Sequence, residues 1–135
     1  MRQWESRKAV QEREQSLIAG FEKEFSDSNG PEFPGARYYL LHSLSHLLMS
    51  SISLLCGYSA AALGERIYCA PADDDVPMAA ILIMTGTSGA EGTLGELVEQ
   101  GRHIGRHLRR AWDMGTLCWC TRRAPWNRSR GRPTD

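Results

Sequence analysis

No Cys-x-x-Cys pair is present: the four cysteines in 135 residues are poorly spaced for a metal. Two intervening residues let two thiolates reach one ion at tetrahedral angles, so Cys118-Trp119-Cys120 misses the knuckle spacing. Other chemical signatures are missing too. No Gly-x-Ser-x-Gly elbow surrounds Ser43, Ser45, Ser50, Ser51 or Ser53, which argues against serine hydrolase chemistry. The glycines of 86–93 are not followed by a phosphate-loop lysine, so no ATP-hydrolysing loop is read there. Neither histidine pair contains the glutamate of a His-Glu-x-x-His motif. The start, Met1 to Glu24, is dense in charge and lacks an apolar leader, so no signal peptide is read and a cytoplasmic location is expected. In that compartment cysteines are reduced thiols or metal ligands.

What the sequence does contain is sorted charge. Residues 1–100 carry seven Lys/Arg against fourteen Asp/Glu, whereas residues 101–135 carry nine Arg against two Asp, so a net of −7 faces a net of +7. Arginine presents a planar fork of donors suited to phosphate, which makes Arg102, Arg106, Arg109 and Arg110 candidate DNA contacts. A solvated basic tail is the alternative reading of such a run.

Periodicity divides the chain. From Gln3 to Phe25, apolar Trp4, Val10, Leu17, Ile18, Phe21 and Phe25 interrupt a charged background, which predicts an amphipathic helix within residues 1–27 that docks along one side. Turn residues make a loop of Ser26 to Gly35. Tyr38 to Cys56 repeats leucine and isoleucine at helical intervals, with Gly57 as its cap. Nineteen residues could span a bilayer, but two histidines and five serines lie inside, so a core helix and no membrane is the expectation. Ser59 reads as the N-cap of a short helix through Leu63, and Glu65 to Cys69 as a strand. Met78 to Thr85 is a continuous apolar run, predicting a strand buried on both faces. A helix follows from Leu94, and a last one, Arg102 to Met114, turns Ile104, Leu108, Ala111 and Trp112 inward. The class is α+β: a helix-rich single domain with a small buried sheet, strands near 65–69 and 78–85, packed by helices. Residues 118–135 read as a divergent, disordered basic tail.

Three groups of residues invite chemistry. His42 and His46, like His103 and His107, are four apart and can present two imidazoles to one ion, although core or surface roles are commoner for such residues. The turn carrying Gly86, Ser88, Gly89, Gly92 and Thr93 lies between strand and helix, where backbone N–H groups can hold an anion; close helix packing explains the glycines as well. That turn with His42 or His46 as acid/base would make a small hydrolase or nucleotide-binding enzyme. Cys56 and Cys69 read as core residues.

Longer strings carry a resemblance. Phe33-Pro34-Gly35-Ala36-Arg37-Tyr38-Tyr39-Leu40-Leu41-His42-Ser43-Leu44-Ser45-His46-Leu47-Leu48, then Cys56-Gly57-Tyr58-Ser59-Ala60-Ala61 and Glu65-Arg66-Ile67-Tyr68, resemble the DrmB family of the DISARM anti-phage system. Ile81 to Gly95 and Arg109 to Cys118 continue the likeness, so residues 33–117 look like its C-terminal domain, which is related to the zinc-binding domain of MrfA-type helicases. The resemblance implies a non-catalytic accessory domain that works with a superfamily 2 helicase on DNA. It also implies zinc held by C-terminal cysteines, of which Cys118 is the one that matches. The family continues to a second cysteine and a Cys-x-x-Cys, whereas this chain gives Trp119-Cys120-Thr121-Arg122-Arg123. The expectation is therefore a truncated fragment, an incomplete site, and weak zinc binding or none.

Overall fold

The computed structural model describes residues 2–25, 30–57, 59–70, 75–85 and 94–122. Its elements are α1 (Arg2–Glu5), α2 (Lys8–Glu24), α3 (Gly35–Cys56), a 3-10 turn (Ala60–Ala62), β1 (Leu63–Ala70), β2 (Met78–Thr85), α4 (Leu94–Gly101) and α5 (Ile104–Arg122). The two strands pair as one antiparallel sheet, which gives the helix-rich α+β architecture that periodicity predicts. Two compact units share these elements: Met1–Ser45 with Glu65–Ile83, and His46–Gly64 with Met84–Asp135.

In the first unit, α2 buries nothing completely, yet Val10, Glu14, Leu17, Ile18 and Phe21 are half-buried at helical spacing. This is the one-sided docking that a sparse stripe dictates. The predicted single helix is broken at Ser6 and Arg7 into α1 and α2. Two polar ties fasten these helices. Glu14 accepts the Ala36 N–H at 3.0 Å, satisfying one of the orphan donors in the first turn of α3. The Arg37 guanidinium, itself buried, donates to both carboxylate oxygens of Glu5 at 2.6 and 2.8 Å and also to the Ala70 carbonyl. A row of rings, Phe21, Phe33 and Tyr39, packs α2 against the start of α3 at centroid spacings of 5.6 and 5.7 Å.

In the second unit, the buried apolar residues are Leu48, Ile52, Ala62, Leu63 and Ala111. Gly57, at φ +74°, donates its N–H to Ser53 and ends α3 in the left-handed conformation expected of a glycine cap. Ser59 accepts from Ala61 N–H and caps the 3-10 turn. On α5, Gly115 lies close enough to Leu47 that an added Cβ would stand 3.2 Å from its Cδ1, so α5 approaches α3 where it has no side chain.

Two expectations about burial are overturned. β2 was expected to be covered on both faces, but none of its residues is buried, and Met78, Leu82 and Met84 are exposed. An apolar run fixes the strand but not its cover, and a two-stranded sheet supplies neighbours along one edge only. On α5, Ile104, Leu108 and Trp112 were expected inward with Ala111. Ala111 is fully buried, whereas Trp112 is 74% exposed, and His107 takes the inner position at 0%. The helix is turned because His107 finds polar partners inside. It also runs past the predicted end at Met114, to Arg122.

By length and composition α3 is apolar enough to cross a membrane. It carries the ion-paired Arg37 and two fully buried serines, Ser45 and Ser51, each bonded to a partner from another element.

Candidate metal centre and arginine face

α3 is a leucine-rich helix whose serines serve polar residues arriving from elsewhere. Ser45 is fully buried, with its hydroxyl between the His42 carbonyl at 2.7 Å and Glu65 Oε2. Glu65 comes from β1, and its other oxygen, Oε1, stands 2.7 Å from His42 Nδ1. The His42 ring is stacked on Tyr38, with centroids 5.8 Å apart and planes 11° from parallel. His46 follows one turn along the same helix and is exposed. Spacing identified the two histidines but not Glu65, which is nineteen residues beyond His46 on a strand.

The second histidine pair is not a metal pair. His107 Nε2 faces Gln100 Oε1 at 3.1 Å, and its Nδ1 faces Ser51 Oγ at 3.2 Å. An amide oxygen only accepts, so Nε2 carries the proton and Nδ1 accepts from the serine. Both ring nitrogens are thereby engaged. Burial, with Arg106 and His103 nearby, holds the His107 pKa below its ordinary value, consistent with a neutral imidazole. His103 is exposed.

The resemblance implies zinc on cysteines toward the C-terminal end, and Cys56 and Cys69 are not among the residues it implies. Cys56 and Cys69 are half-buried and form no disulfide, and neither joins a cluster of metal donors among the described residues. Burial pushes the Cys69 thiol pKa up, with Arg37 opposing and Glu5 acting in the same direction as burial. Cys118 falls on the backbone of α5, and its side chain lies outside the described residues.

The arginines expected to meet DNA are all exposed. Arg106, Arg109 and Arg110 lie on α5, and Arg102, in the turn before it, pairs with Glu99 at 3.3 Å. The anion-binding candidates Gly86, Ser88, Gly89, Gly92 and Thr93 lie outside the described residues, as does the tail from 123.

Two comparisons with known proteins bear on this arrangement. Over 64 residues, 47% of its length, the chain is 47% identical to the DISARM protein DrmB of Bacillus paralicheniformis, and it spans 10% of that relative's length. The family model of the MrfA Zn-binding domain matches residues 44–126, which takes in His46, Glu65, His107, the exposed arginines and Cys118. With more than half of its length matched, the chain belongs to the MrfA Zn-binding domain family.

Proposed function

We propose that this chain is a non-catalytic accessory segment of a DISARM-type anti-phage system, contacting DNA through the outer face of α5 and working with an ATP-hydrolysing helicase subunit. The likeness to DrmB supports the defence setting. The observation that carries the DNA contact is the side on which α5 exposes its charge. His107 and Ala111 are buried, while Arg109 lies opposite them and Arg106 and Arg110 on the adjoining flank, all exposed, with Asp113 among them. Guanidinium forks on a rigid helix are suited to tracking phosphates without reading bases. No phosphate-loop lysine follows the glycine turn, so ATP hydrolysis is assigned to the partner.

Fluorescence anisotropy with a single-stranded oligonucleotide, titrated against salt, tests this reading. Reversing Arg106, Arg109 and Arg110 to Glu is expected to weaken binding more than tenfold. It should also flatten the slope of log K against log salt by about 2, at roughly 0.7 per lost phosphate contact. Binding and slope that match the unmodified chain would remove the DNA contact.

A further inference from the structure

We infer that Trp112 is a base-stacking platform that makes the α5 face select single-stranded over duplex DNA, an inference that rests on the phosphate contact proposed above. Trp112 is 74% exposed on a nineteen-residue helix. Burying an indole is worth more than burying almost any other side chain, so one held out in water on a regular helix is available to a partner. Its exposure is not an isolated accident. Leu108 and Ile104, four and eight residues earlier, are 42% and 46% exposed, so the three make one stripe along the helix with the indole outermost. Apolar residues scattered singly over a surface need no explanation, whereas a contiguous stripe marks a contact.

The charge beside the stripe decides what meets it. Arg109 precedes Trp112 by three residues, which makes the two side chains neighbours on the helix surface. Arg106 and Arg110 extend the charge around the flank, and Asp113 offsets one of the three, so phosphate contact alone is modest. An apolar protein surface laid over the stripe would also take the Arg109 guanidinium out of water with no counter-charge, which is costly. A nucleic-acid strand satisfies both groups: phosphate oxygens accept from the guanidinium fork while an unstacked base lies on the indole. Only a single strand offers that base, because in a duplex the faces of each base are already covered by its neighbours. Stacking accepts any base, which suits a helix that tracks phosphates without reading sequence.

Anisotropy of a labelled oligothymidine strand, set against a labelled duplex of equal length, tests the inference on the full chain. The unmodified chain should bind the single strand more tightly. Trp112→Ala should weaken single-strand binding roughly tenfold, the loss of one stacked base, while leaving duplex binding and the salt slope unchanged because no phosphate contact is lost. Trp112→Phe, which keeps a ring, should recover most of that loss. Reversing Arg106, Arg109 and Arg110 to Glu should instead weaken both ligands and flatten the slope, so failure of the phosphate contact is read separately from failure of stacking. The inference is overturned if Trp112→Ala binds the single strand as the unmodified chain does, or loses duplex binding equally, even where the arginine variant is weakened. It is also overturned if the unmodified chain shows no preference for the single strand, and no binding to either ligand removes both readings. Self-association in sedimentation that Trp112→Ala abolishes, with oligonucleotide affinity unchanged, would give the stripe to a second copy and overturn it as well.

Discussion

Single polar residues, placed inside against hydrophobic expectation, organise both units. His107 is fully buried and bridges Ser51 and Gln100. Because burial lowers its pKa, the unfolded chain binds the proton more readily than the folded one. Its contribution to stability is therefore complete above the ordinary value of 6.5 and is lost as the pH falls through 6.5 toward the lowered folded value. Thermal melts from about pH 7.5 to 5.5 should show a falling Tm in the unmodified chain and a shallower fall in His107→Asn, which has no imidazole to titrate. Parallel curves would refute the assignment. Arg37 makes the same point in the first unit. Removing it in Arg37→Ala leaves Glu5 and the Ala70 carbonyl without their donor and should cost about 3 kcal/mol in chemical denaturation, as for other broken buried pairs. Its hydrogen bond holds the Glu5 pKa below 4.5, so that part of the stability is present above 4.5 and is lost on further acidification.

Elements were more legible than partners. Leucine spacing located α3, Gly57 its end, Ser59 the next cap, and alternation or an apolar run the two strands, because each of these is a local property of backbone and side-chain period. What was not legible depends on distant residues. Glu65 meets His42 across twenty-three positions and His107 meets Ser51 across fifty-six, and no periodicity encodes either meeting. The rotation of α5 follows from the second: apolar Ile104, Leu108 and Trp112 outweigh one histidine in any count, yet the histidine has a buried hydroxyl to bond. Two substitutions check the elements. Trp112→Ala should change stability by less than about 0.5 kcal/mol, since the ring is 74% exposed, and a loss of several times that would put it back in the core. Gly57→Ala should cost about 1 kcal/mol by urea unfolding, because an alanine at φ +74° carries a strained Cβ.

Taken whole, the chain separates an acidic stretch from an arginine-rich one, and α5 turns part of the latter into an exposed helical face. Fluorescence anisotropy of a single-stranded oligonucleotide across a salt titration tests the central claim, phosphate contact by that face, most directly. The account predicts weaker binding and a flatter salt slope when Arg106, Arg109 and Arg110 are reversed to Glu, and a variant indistinguishable from the unmodified chain would contradict it.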